Sequence, residues 1–155
     1  MIYNHYMNTV NVDTPLGRMY ISSDGKNITG LRFGSCEIET PDAVLMKAKA
    51  ELQEYFAGQR KSFDLPLKPE GTTFQQSVWH ALCEIPYGET ASYGQIAERI
   101  GNKKACRAVG MANNRNPIAI IIPCHRVIGA GGKLTGYAGG LDKKEFLLEL
   151  EAQRR

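Results

Sequence analysis

The sequence has no CxxC pair, no clustering of its three histidines (His5, His80, His125), and no apolar run near the ~20 residues a membrane helix needs. The first two absences exclude a zinc framework or a dithiol redox motif, so no metal and no cofactor is expected. The third excludes a spanning helix. The start of the chain also lacks a basic stretch followed by an apolar one, and the expected location is the cytoplasm, or the nucleus in a eukaryote. Aromatic residues are few at 8%, while 43% hydrophobic and 23% charged residues over 155 positions are ordinary for one or two small globular domains.

Acidic residues are missing altogether between Arg99 and Leu141, a stretch that holds Arg99, Lys103, Lys104, Arg107, Arg115, Arg126 and Lys133. Residues 1–71 carry eight Lys/Arg against nine Asp/Glu, and residues 72–155 carry eleven against seven, so the net charge of +3 is a difference between −1 and +4. A polyanion-binding face and a merely solvated surface fit this distribution equally well. The four cysteines (Cys36, Cys83, Cys106, Cys124) are widely spaced and are expected as free thiols.

Two domains are expected, 1–71 and 72–155. In the first, period-two apolar residues (Val10, Val12; Met19, Ile21; Leu31, Phe33) with a turn at Asp24-Gly25 predict three antiparallel strands. Thr40 as N-cap, Pro41 at the first helical position, and Val44, Leu45, Ala48, Leu52, Tyr55 and Phe56 then predict a helix ending at Gly58. Residues 58–73 read as a linker. Nothing in this half points to chemistry, and His5 and Cys36 read as structural residues.

In the second domain, a capping box at Thr73 opens a helix with Phe74, Val78, Leu82 and Ile85 on one side. A second box, Ser92 to Gln95, opens a short helix closed by Gly101. A third helix follows over about residues 103–113. The pair fits a helix-turn-helix, although many such pairs bind nothing. Its second helix is made of Ala105, Cys106, Ala108, Val109, Gly110, Met111 and Ala112 around one long cation, Arg107. Such small residues suit close, shape-dependent approach to DNA, and equally suit packing against another helix.

The apolar run Ile118 to Ile122 leads into Pro123-Cys124-His125-Arg126-Val127, which offers Cys124 as a nucleophile beside two cations that would favour its thiolate. A lone buried cysteine is the plainer alternative. A Gly-rich loop enclosing Tyr137 follows, and then a helix opened by Asp142 to Glu145 that carries Phe146, Leu147 and Leu150. Glu151, four residues after Leu147, lies on the same helical face, and His125 is an available partner for an inward carboxylate.

The succession FQQSVW, IPYGETASYGQIA, GNKKACRAVG, NRNPIAIIIPCHRV and GYAGGLDKKEFLLELE resembles the O6-alkylguanine-DNA alkyltransferases, in order and across residues 72–155. The resemblance implies an α+β protein, with a small RNase H-like α/β domain followed by a mainly helical winged helix-turn-helix domain. It implies a monomer that acts on double-stranded DNA carrying O6-alkylguanine and moves the alkyl group irreversibly to its own cysteine, once per molecule. Cys124 would be the acceptor and His125 its base through a water, with Glu151 orienting the imidazole and Asn116 holding the active-site turn. Arg107 would fill the space left by the extruded nucleotide. Tyr93 would crowd its phosphate and contact the flipped guanine, and Asn102, Ala105 and Ala108 would face the DNA. Tyr137 would wall the base pocket, and the Ala138 amide would donate to guanine oxygen. Three rival readings are a non-catalytic relative, which would lack Cys124; a plain winged-helix regulator, which leaves PCHRV and Glu151 unexplained; and a hydrolase, for which adjacent Cys and His side chains form a poor dyad.

Overall fold

A computed structural model describes residues 7–153; His5 lies outside them. The chain forms two compact units: one is the chain through Glu70 with Pro117–Ala119, and the other is Gly71–Asn116 with the chain from Ile120 onward. Among the described residues no helix is long and apolar enough to cross a membrane.

The first unit is an antiparallel sheet of β1 (Asn8–Thr14), β2 (Gly17–Ser23) and β3 (Ile28–Phe33) in sequence order, covered by α1 (Ala43–Phe56). The register sets Val10 opposite Ile21 and Ile21 opposite Leu31. This places Val10, Val12, Met19, Ile21 and Leu31 in one core with Leu45, Ala48, Leu52 and Tyr55 of α1. The turn between β2 and β3 is an Asx turn: Asp24 Oδ1 accepts the amides of Lys26 and Asn27, and Gly25 takes φ +97°.

Two expectations for this half change. The N-cap of α1 is Asp42, whose carboxylate accepts the Leu45 amide, because Thr40 is already tied to β1 by hydrogen bonds in both directions with Thr9. Part of the expected linker is sheet edge: Ile28 N donates to Pro66 O and Lys68 N to Ile28 O, while Leu31 exchanges bonds with Pro117 and Ala119.

The second unit gathers α2 (Thr73–Leu82), α3 (Tyr93–Arg99) and α4 (Cys106–Asn114) around Val78, Trp79, Leu82, Ile96, Ala97, Val109 and Ala112, with α5 (Leu141–Gln153) closing it. Trp79 Nε1 donates to the Ala112 carbonyl and ties α2 to α4. Gly71 is required by close approach, since a Cβ there would lie 2.4 Å from the Trp79 ring. The capping box of α2 is set on Thr72, not Thr73, with Gln75 as its reciprocal partner. The Ser92/Gln95 box of α3 forms as the pattern predicts. Helix α4 begins at Cys106, later than expected, because Asn102 to Ala105 close a separate turn. A two-residue parallel ladder, β4 (Ala91–Ser92) with β5 (Val127–Ile128), fixes the start of α3 beside the chain just after Arg126.

Candidate active site

The chain leaves α4 through Arg115 and Asn116, and reaches Pro123 over a buried segment that is not a strand. Ile120 sits at φ +70°, the one positive-φ residue other than glycine among those described, a strained conformation for a β-branched side chain. Its side chain is buried with Ile121 and Ile122. Cys124, His125 and Arg126 form a single 3-10 turn, all three buried. Two asparagines hold that turn. Asn116 Nδ2 donates to Ile122 O at 2.8 Å, and Asn113 Nδ2 donates from α4 to Cys124 O at 3.3 Å. Asn113 was not anticipated, since nothing in a helical pattern distinguishes an inward amide from an outward one.

His125 and Glu151 meet as the helical spacing suggested: Nε2 lies 2.7 Å from Glu151 Oε2, with both side chains fully buried. Burial holds the imidazole below its ordinary pKa against the pull of Glu151, so the ring is neutral and donates Nε2–H. Its acceptor nitrogen is then Nδ1, which is buried and has no protein hydrogen-bond partner. Burial also opposes ionisation of Glu151, but hydrogen bonds and charge from His125 and Arg126 prevail and bring its carboxyl down to about 2.

Arg126 departs from its expected role. Its guanidinium is taken up by other partners: Nε and Nη2 grip Glu151 at 2.8 and 3.0 Å, Nη1 donates to Ile85 O at 2.7 Å, and the group lies 5.7 Å from the Tyr87 ring centroid. The expectation that flanking cations make Cys124 a ready thiolate is therefore corrected. Burial pushes this thiol up to about 11, against smaller opposing effects from an Asn116 hydrogen bond and the Lys144 charge.

Lys144 is the second unanticipated residue. The expected apolar stripe of α5 included Phe146, which is 39% exposed, whereas Lys144 is fully buried. Its ammonium donates to Thr135 O at 2.7 Å and Gly136 O at 3.3 Å, satisfying two loop carbonyls and so making burial of a lysine tolerable. On the same loop Tyr137 is half-buried, and its hydroxyl is driven well above its ordinary pKa by burial, with the Cys124 and Glu151 charges adding to the effect. Ala138 is exposed.

The DNA-facing candidates are drawn from α3, α4 and the turn between them. Arg107, Ala108, Asn102 and Cys106 are exposed and Tyr93 is half-buried, its ring packing over Gly110. Ala105 instead turns inward as the N-cap of α4. Of the seven cations between Arg99 and Leu141, Arg126 is internal and Arg99 pairs with Glu84 at 3.4 Å, which leaves Lys103, Lys104, Arg107, Arg115 and Lys133 exposed.

A buried cysteine next in the chain to a histidine–carboxylate pair, in a unit whose two short helices and their connecting turn expose Lys103, Lys104 and Arg107, has the features of a protein that binds DNA and holds a reactive group inside. Comparison identifies which kind. Residues 73–153 match the DNA-binding domain of 6-O-methylguanine DNA methyltransferase, and residues 1–69 match its ribonuclease-like domain. The methylated-DNA–protein-cysteine methyltransferase of Methanosarcina acetivorans is 58% identical over 147 residues, covering 90% of this chain and 94% of that protein. The protein of that name from Mycobacterium bovis is 52% identical over 150 residues, covering 92% and 91%. The crystal structure of Mycobacterium tuberculosis OGT in complex with DNA superposes with a TM-score of 0.88 at 52% identity, covering 95% of this chain and 94% of that one. The chain belongs to the 6-O-methylguanine DNA methyltransferase family. Direct-reversal repair, in which an alkyl group passes from guanine in DNA to a cysteine of the protein itself, is the function of that family and of this member.

Proposed function

We propose that Cys124 is the alkyl acceptor, that His125 Nδ1 receives its proton, and that Glu151 fixes the histidine tautomer. The observation that carries this reading is the 2.7 Å bond between His125 Nε2 and Glu151. It occupies Nε2 and leaves Nδ1, buried without a protein hydrogen-bond partner, as the base. Because the two residues are adjacent, a water relays the proton between them. The sulfur–carbon bond forms as the carbon–O6 bond breaks. The bonding electrons leave with guanine O6, and the proton held at His125 neutralises the departing guanine. A thiol and an O6-alkylguanine thus become a thioether and guanine, and no group in the site reverses the step.

An O6-alkyl group is unreachable inside a duplex, so the nucleotide must leave the stack at a cost of a few kcal/mol. We assign Arg107 to the vacated space, Tyr93 to the flipped nucleotide and its phosphate, and Asn102 and Ala108 to the backbone approach. Tyr137 walls the pocket and the Ala138 amide meets the guanine oxygen. Asn116 and Asn113 keep the turn in register with α4. Ala105 contributes through the start of α4, since its methyl is turned inward. The protein acts as a cytoplasmic monomer without a cofactor.

Mass spectrometry tests the acceptor. Trypsin releases residues 116–126 as a peptide whose single cysteine is Cys124. After incubation with an O6-methylguanine duplex, that peptide gains one methyl group. A methyl group on Cys36, Cys83 or Cys106 instead overturns the assignment.

A further inference from the structure

Tyr93 is the first residue of α3 and sends its ring over Gly110 of α4, where an added Cβ would lie only 3.8 Å away. Its hydroxyl ends on the Gly-rich loop against a single residue. Tyr93 Oη donates to Thr135 O at 3.2 Å, and Thr135 Oγ1 donates back to Tyr93 Oη at 3.1 Å. The same Thr135 carbonyl accepts the Lys144 ammonium at 2.7 Å. Thr135 therefore joins three elements, the start of α3, the loop, and α5. It holds the phenol by both its donor and one acceptor site.

A phenol constrained in this way has a fixed proton direction, toward the loop, and one lone pair not used by Thr135. Rotation of the ring about its own axis does not move Oη, but tilting of the side chain does, and the Thr135 hydroxyl opposes that tilt. Backbone contacts alone would leave one hydrogen bond, from Oη to a carbonyl, which permits a wide cone of phenol positions. The reciprocal pair narrows the cone, and narrowing of this kind matters most where a group must meet a reacting base within a few tenths of an ångström.

We infer that Thr135 is a positioning residue for alkyl transfer, its side-chain hydroxyl holding the Tyr93 phenol in the orientation that receives the flipped guanine. This rests on the assignment of Tyr93 to the nucleotide. The group bound remains the alkylated guanine nucleotide, and the hydroxyl of Thr135 acts on it only through Tyr93.

The test is a cycle of Thr135→Val, Thr135→Ser, Tyr93→Phe and the Thr135→Val/Tyr93→Phe double variant. Thr135→Val keeps the side-chain shape and the carbonyl that Lys144 uses, and removes only the hydroxyl. Single-turnover methyl transfer from an O6-methylguanine duplex is followed over a range of protein concentrations, which separates the half-saturating concentration from the limiting rate. Binding of undamaged duplex and thermal melts are run beside it. Thr135→Val is expected to lower the limiting rate about fivefold, the worth of one hydrogen bond. Half-saturation, undamaged-duplex affinity and melting midpoint stay near the unaltered protein's. Thr135→Ser restores the rate to within about twofold, and the double variant is no slower than Tyr93→Phe alone. If Tyr93→Phe slows transfer and Thr135→Val does not, the inference about Thr135 fails while Tyr93 keeps its role. If Tyr93→Phe has no effect, the assignment of Tyr93 fails and takes the inference with it. A loss from Thr135→Val that adds in full to that of Tyr93→Phe also overturns it, since Thr135 would then act without the phenol.

Discussion

Replacing Glu151 with glutamine removes one charge from a site where four hydrogen bonds converge: His125 Nε2, Arg126 Nε and Nη2, and the Gly88 amide. The carboxyl is held at about 2 against an ordinary 4.5, a difference that amounts to about 3 kcal/mol of stability above pH 4.5. The substitution also leaves the Arg126 guanidinium, 7% exposed, without its counter-ion, and broken buried pairs typically cost about 3–5 kcal/mol. These two figures describe one interaction from two sides and are not summed. The variant should thus be less stable by about 3–5 kcal/mol at pH 7.5, a fall in melting midpoint on the order of 10 °C. The pH dependence carries the diagnostic sign. A carboxyl with a depressed folded pKa stabilises above its unfolded pKa, and its contribution is lost as pH falls from about 4.5 toward 2. By pH 3 about 2 kcal/mol of it should be gone. His125, also depressed when folded, adds a separate loss as pH falls below about 6.5, because the unfolded ring takes a proton the folded one resists. Urea unfolding of both proteins from pH 7.5 to 3 should show the gap between them closing below pH 4.5. A gap under 1 kcal/mol at pH 7.5, or one that stays constant to pH 3, would refute the ionised, paired Glu151 described here. Alkyl transfer by the variant should fall at least tenfold, since the histidine loses the group that fixes its tautomer.

Arg107→Ala should impair repair of duplex DNA more than reaction with free O6-benzylguanine, and equal losses would place Arg107 in the pocket or the fold. Duplex affinity should fall with salt at a log–log slope no steeper than about −4 to −5, about −0.9 for each of the five exposed cations; a flat response would remove the basic face. Stoichiometrically methylated protein should be less stable than free protein by about 1–3 kcal/mol and melt earlier, because a methyl group overfills the packed turn around Cys124; an equal or higher midpoint shows that the site has room. Iodoacetamide labelling of Cys124 without DNA should accelerate through pH 10 with no plateau, as a thiol at about 11 requires, and a plateau below pH 9 would contradict its burial.

Local chemistry was legible wherever one residue type has one use. The Ser92 and Gln95 pair read directly as a helix start, Asp24-Gly25 as a turn, and the spacing from Leu147 to Glu151 as an inward carboxylate. Ambiguity entered where residues compete for a role. Thr40 resembles an N-cap, yet its hydroxyl is taken by β1, and adjacent Thr72 and Thr73 offer the same capping chemistry one position apart. The charged residues misled most. Arg126 counts as a surface cation in any tally of the chain and is buried, and Lys144 looks like the polar side of α5 and is as buried as Leu147. Each is internal because a specific acceptor awaits it, Glu151 for one and the Thr135 and Gly136 carbonyls for the other, and such pairings are long-range facts that periodicity does not encode. The left-handed backbone at Ile120 is the same kind of case, since nothing in the apolar run Ile118 to Ile122 marks one of its residues for a positive φ.

The burial of Cys124 bears on how the protein keeps before use. A molecule that works once and is then spent loses its whole value to any stray electrophile or oxidant that reaches the sulfur first. Burial raises the Cys124 thiol to about 11, so at pH 7 far less of it is thiolate than of an ordinary cysteine. Resting protein is therefore less exposed to such accidents, and in the mechanism proposed above the sulfur is armed only when a flipped nucleotide and the His125–Glu151 pair act on it together. Low intrinsic reactivity, a defect in an enzyme that turns over, is here what gives a disposable reagent its shelf life.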